Sequence, residues 1–134
     1  MDVLAQHSPP PVRAIIVAHG ALADGLASAV QQITGRGSMF HAMSNSGLSL
    51  ADIKDSVSRA LDETGARVIF TDLPAGSCTM AVRKIMRARI DVTVVTGVNL
   101  SVLLDFAMHE TIDPVTAARS ALERGRASIV AHGA

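Results

Sequence analysis

Short β-branched runs alternate with segments of helical period from residue 12 almost to the C-terminus, and few folds accept that alternation. Val12–Ala18 (VRAIIVA) has strand character and is cut off by His19-Gly20. Leu22, Leu26, Ala29, Val30 and Ile33 then recur at the spacing of one helix face, until Gly35-Arg36-Gly37 stops the pattern. Ser38–Met43 is a weaker strand candidate. Ser49 precedes Asp52 in the manner of a capping box, and Leu50, Ile53, Val57 and Leu61 follow on one face up to Gly65. Arg67–Thr71 reads as a buried strand, Asp72–Ser77 as a turn, and Met80–Arg89 as a basic helix with Val82, Ile85 and Met86 inward. Asp91–Thr96 is the clearest strand pattern, and Ser101–His109 an apolar helix. Asp113-Pro114 fits an N-cap followed by proline in the first turn of a helix reaching about Gly125. Ala127–Ala131 reads as one more short strand.

Strands joined through helices by short glycine-containing loops make βαβ units. The expected fold is therefore α/β: one domain over residues 12–134, a mostly parallel open sheet flanked by helices. A chain of 134 residues suits a single core. Residues 1–11, ending in Pro9-Pro10-Pro11, are expected to form a poorly ordered leader. The phrase IVAHGA occurs at residues 16–21 and again at 129–134, in contexts so different that it reads as coincidence rather than a repeat.

Composition removes several function classes. Apolar residues make up 49% of the chain and its formal net charge is zero, which argues against disorder and against a strongly basic nucleic-acid binder. With no Trp or Tyr and only three Phe, there is no platform for stacked bases. The single cysteine, Cys78, rules out an internal disulfide, argues against a cysteine-based metal site and suits a reducing compartment. The first residues lack signal-peptide form, and no apolar stretch is long enough to span a bilayer. A cytoplasmic location is expected.

Ligands of open parallel sheets bind beyond the carboxyl ends of the strands. Three loops fall there: 18–21 (AHGA), 72–77 (DLPAGS) and 97–99 (GVN). They offer one imidazole, one carboxylate, small hydroxyl and amide groups, and glycines for close backbone approach. That inventory suits reversible phosphorylation of His19: one ring nitrogen attacks, and a carboxylate on the other fixes the tautomer and steadies the cation that forms. Backbone N–H groups opening a helix would hold the phosphoryl oxygens. Each residue also has a plain structural reading. His-Gly after a strand is often a mere turn, Asp72 suits a helix cap, and at least one of Ser77 and Thr79 fits the same role. Cys78 suits a small buried side chain. His7 and His132 are expected in solvent, His41 and His109 in satisfied structural positions.

Four segments in order then resemble one family. AIIVAHGALADGL, VIFTDLPAGSCTMAVRKI, VTVVTGVNLSVLLDFAM and DPVTAARSALERGRASI, spanning about residues 12–130, are similar to the IIA component of the mannose/fructose/sorbose class of the phosphoenolpyruvate-dependent sugar phosphotransferase system. The resemblance implies a phosphotransferase with His19 as the phosphorylated residue and Asp72 as its positioning carboxylate. Gly20, Gly76, Ser77 and Thr79 would lie around the phosphoryl group, and no metal or other cofactor is implied. The implied partners are the phosphocarrier HPr as donor and a IIB component or domain as acceptor for sugar uptake, with peripheral association at a membrane permease. The family fold further implies a homodimer in which an antiparallel C-terminal strand is exchanged. Here Pro74-Ala75-Gly76-Ser77-Cys78 stands where the family usually has a glycine pair followed by serine and proline. That departure favours one alternative, a regulatory, phosphorylation-sensing protein of an incomplete phosphotransferase system; a further one, a small-molecule-binding domain with an inert His19, is disfavoured by the retained His19–Asp72 pair.

Overall fold

The computed structural model describes residues 11–134. Four strands, β1 (Ala14–Ala18), β2 (Phe40–Ser44), β3 (Val68–Thr71) and β4 (Thr93–Val95), form one sheet in the order β2-β1-β3-β4. Every pairing is parallel. Five helices connect and cover it: α1 (Leu22–Thr34), α2 (Leu50–Thr64), α3 (Ser77–Met86), α4 (Leu100–Met108) and α5 (Pro114–Ala127). The expected α/β architecture is present.

Period-2 alternation splits the core in two. Ala14, Ile16 and Ala18 of β1, with Val68 and Phe70 of β3, face α1, α4 and α5. Ile15, Val17 and Ile69 face α2 and α3. Both central strands are buried throughout, as parallel strands covered on two faces must be. All three phenylalanines, Phe40, Phe70 and Phe106, meet on the first face with ring centroids 5.2–6.2 Å apart. The guanidinium of Arg13 lies 5.6 Å from the Phe106 ring centre and donates to the carbonyl of Ile112 at 2.5 Å, which ties the α4–α5 connection to β1.

Local signals act where the sequence placed them. Ser49 and Asp52 form the capping box of α2. Asp113 accepts from the amide of Thr116 at 3.2 Å, with Pro114 in the first turn of α5. Other expectations shift. The strand expected from Ser38 begins with a 3₁₀ turn, Gly37–Met39, because Gly37 is pressed onto α1: a Cβ there would lie 2.7 Å from the carbonyl oxygen of Ala27. Helix α3 starts at Ser77, before the expected Met80, and ends at Met86. The strand expected over Asp91–Thr96 shrinks to Thr93–Val95, since β4 is paired on one side only. Helix α5 continues to Ala127, and residues 129–134 form no strand within the chain, leaving Ile129 and Val130 exposed. The leader falls outside the described residues apart from Pro11, as does His7.

Gly125 explains how α4 and α5 approach so closely. A Cβ on it would lie 2.1 Å from Cγ2 of Val102, whose branched side chain has little freedom to turn away. Gly125→Ala gains helix propensity yet is expected to destabilise the fold by about 1–3 kcal/mol through overpacking. Thermal unfolding measures this, and a variant as stable as the parent would contradict the packing.

Candidate active site

The sheet order places a topological switch between β1 and β3: from β1 the chain leaves toward β2, from β3 toward β4 on the opposite side. The carboxyl ends of those two strands therefore open into the crevice where parallel sheets bind ligands. Val17 pairs with Thr71, so the residues just beyond, His19 and Asp72, emerge side by side.

Oδ2 of Asp72 receives two bonds from His19, the backbone amide at 3.0 Å and the ring Nδ1 at 2.8 Å. Burial works against the charge on Asp72, but these bonds from the His19 amide and ring outweigh it and hold the carboxyl below its usual range. An ionised carboxylate can only accept, so Nδ1 must carry the proton. The lone pair of the neutral imidazole is then on Nε2. The His19 side chain is 43% exposed against 7% for Asp72, an open imidazole on a sheltered carboxylate.

Gly76 N-caps α3 at φ +108°, a backbone conformation that side chains rarely adopt, and a Cβ on it would sit 3.6 Å from Cε1 of His19. Ser77 is the first residue of α3 and half-buried. The start of the helix, with backbone N–H groups that have no carbonyl one turn back, thus stands beside the imidazole. Neither Ser77 nor Thr79 caps α3 with its side chain. Thr79 is 1% exposed, and its hydroxyl is shared between Thr71 Oγ1, at 2.7 Å, and the carbonyl of Leu73. It braces the 72–76 loop from beneath and lies outside the opening. Gly20 turns the chain after His19 at φ +59° and gives its amide to Asn45 Oδ1 at 3.1 Å.

Asn45 escaped the sequence reading. It follows the edge strand β2, whose pattern was weak, and it fastens the histidine turn through that bond and through its own amide to Ala18 O at 3.2 Å. The third loop contributes support only. Asn99 caps α4, receiving the Val102 amide at 3.0 Å, and donates to the carbonyl of Gly125 at 3.0 Å. Cys78 is buried; burial first, and then the Asp72 charge, push its thiol above the usual range. His109 bonds the carbonyl of Asp105 at 2.7 Å, while His41 is exposed on β2 rather than tied into structure. Two clefts, about 420 Å³ between α4 and α5 and about 400 Å³ beside β4 and the C-terminal segment, lie apart from His19.

The fold and this pair define a class: a parallel α/β domain with a carboxylate-oriented histidine at its switch point. Residues 13–120 match the family described as the PTS system fructose IIA component, and the chain belongs to that family. No curated protein matches it. Among solved structures it is similar to the phosphotransferase system component EIIA of Streptococcus agalactiae, at 25% identity and TM-score 0.75, over 89% of this chain and 95% of that one. It also resembles the mannose/sorbose-specific IIA subunit of Enterococcus faecalis, at 18% identity and TM-score 0.78, over 93% and 97% of the two chains. A sigma-54 interaction domain protein of Enterococcus faecalis shares the fold at 13% identity and TM-score 0.71, over 90% and 94%. Among the described residues no helix is long and apolar enough to cross a membrane.

Proposed function

We propose that the chain is a phosphocarrier that takes a phosphoryl group from phospho-HPr onto Nε2 of His19 and passes it to a IIB component. The observation that carries this is the 2.8 Å bond from Nδ1 to the sheltered Asp72, which leaves Nε2 free on the solvent side. In the transfer, the Nε2 lone pair forms a bond to phosphorus as the P–N bond of the donor breaks, and that electron pair returns to the donor imidazole. The ring of His19 keeps its Nδ1 proton and becomes cationic, and Asp72 stabilises that charge. N–H groups of Gly76 and Ser77 at the start of α3 approach the phosphoryl oxygens, where the helix dipole favours negative charge. In this reading Gly20 shapes the histidine turn, and Thr79 keeps the loop in place.

The same reading makes the protein a cytoplasmic homodimer, peripheral to a membrane permease that takes up the sugar. Its C-terminal segment carries the exposed Ile129 and Val130, and Ile129 shares a cleft with Val95 of the short edge strand β4. An exposed apolar segment and a sheet edge without a neighbour are the two halves of an exchange between subunits, in which the segment would become a strand.

A second reading, regulation by phosphorylation state without coupling to sugar uptake, is favoured by one local departure. Ala75, in the loop that an acceptor must approach, and Cys78, in the first turn of α3, stand where the family pattern has glycine and proline. Incubation with labelled phosphoenolpyruvate, enzyme I and HPr tests the phosphocarrier. Acid-labile, base-stable label on the protein is expected, and an unlabelled protein overturns both readings. Adding a IIB partner and sugar then separates transport from regulation.

A further inference from the structure

We propose that His19, Asp72 and Cys78 together form a site for a single divalent cation of the Zn²⁺ class. A ring nitrogen of His19, a carboxylate oxygen of Asp72 and Sγ of Cys78 all lie within 4.8 Å of one another. One nitrogen, one oxygen and one sulfur is a donor set for zinc, and the thiolate selects against magnesium and calcium. The lone cysteine excludes a multi-cysteine centre but not this mixed one.

Two further observations single out this cluster. The Asp72 side chain is 7% exposed, and its second oxygen, Oδ1, is buried without any hydrogen-bond partner. A sheltered carboxylate oxygen with no donor is short of an interaction that a cation supplies. The backbone of α3 holds Cys78 in the core beside Asp72, at 0% exposure, so its sulfur is already desolvated. His19, at 43% exposure, provides the entry path and leaves room for a water as fourth ligand. Bond lengths of about 2.0–2.3 Å place tetrahedral donors roughly 3.5 Å apart. The donors, within 4.8 Å of one another, reach that spacing by adjustments of about an ångström in all three side chains, of which the His19 ring is the most exposed.

Binding releases one proton. The thiol proton of Cys78 goes to solvent, the cation takes the Nδ1 position, and the imidazole proton moves to Nε2. An Nε2–H has no lone pair to attack phosphorus. A bound cation and a phosphoryl group on His19 thus exclude each other; this last step rests on the phosphocarrier reading, whereas the site itself does not.

Co²⁺ is the probe for the site. Titrated into the full chain, it is expected to give a thiolate-to-metal charge-transfer band saturating at one equivalent and displaced by Zn²⁺. Cys78→Ser and Cys78→Ala should both lose the band and bind Zn²⁺ at least tenfold more weakly, since even losing a supporting contact costs a metal site about 10–100-fold. Circular dichroism checks that the variants fold. No band, or equal Zn²⁺ affinity in parent and variants, overturns the site. For each protein that takes label, the rate with one equivalent of Zn²⁺ is divided by its rate in chelator. A parent ratio below one tenth, rising toward one in Cys78→Ser, supports the exclusion, and a parent ratio near one overturns it. A chain that takes no label without metal but shows the band overturns the phosphocarrier reading and leaves the site standing.

Discussion

Alanine at position 19 is expected to abolish phosphoryl uptake altogether while leaving the fold intact. The substitution removes Nε2, and no other histidine among the described residues offers an equivalent. His41 is exposed on the edge strand β2, His109 is bonded to the Asp105 carbonyl, and His132 is exposed near the end of the chain. None of the three has the combination at His19: a sheltered carboxylate on one nitrogen, with the start of a helix beside the ring. Stability should fall only modestly. The ring is 43% exposed, and the second bond to Asp72 comes from the backbone amide, which alanine retains. Loss of the ring bond leaves the sheltered Asp72 carboxylate with the amide alone and should cost about 1–2 kcal/mol, too little to unfold the chain. Label incorporation and a thermal melt on the same preparation measure both halves. Label on the His19→Ala protein equal to that on the parent would move the phosphorylated residue elsewhere.

Asp72→Asn is the second large effect, and it works through the same ring without removing it. Asparagine preserves shape and one acceptor oxygen but loses the negative charge. Nδ1–H is then no longer enforced, and the cationic ring formed on transfer has no counter-charge. The phosphorylation rate should fall on the order of 10²–10⁴-fold, the range associated with mis-set tautomers and lost acid–base partners. Rapid-quench labelling at saturating donor reads the rate directly. Glutamate is a useful contrast, since it restores charge at the wrong reach and should recover only part of the loss. An unchanged rate in Asp72→Asn would remove Asp72 from the mechanism.

The sequence made much of this arrangement legible, for identifiable reasons. Strong local signals reported truthfully: the Ser49–Asp52 box, the Asp113-Pro114 start and the buried runs AIIVA and VIFT all depend on near neighbours. The His19–Asp72 pair was reachable because sheet physics brings the ends of adjacent parallel strands together. What escaped depended on contacts between distant segments. Gly125 reads as the end of a helical pattern, and only the approach of Val102 explains a glycine inside the last turn. Asn45 is one polar residue among several in a loop until β2 pairs beside β1 and puts its oxygen on the Gly20 amide. Thr79 looked like a cap or a phosphoryl ligand from its place near a helix start. Its hydroxyl instead turned inward to Thr71 and Leu73, a choice that requires knowing where β3 ends.

The bond between His19 and Asp72 joins positions 53 residues apart. The two strands that carry these residues become neighbours only after β2 and α2 have been threaded between them in the chain. A nascent or locally opened molecule whose central pairing is lost therefore holds an ordinary histidine, with neither enforced tautomer nor counter-charge. If His19 carries the phosphoryl group as proposed, its competence is in effect a certificate of completed folding. Loading kinetics would then count the fraction of molecules with an intact sheet centre, and fragments or unfolded chains would not drain a phosphoryl donor.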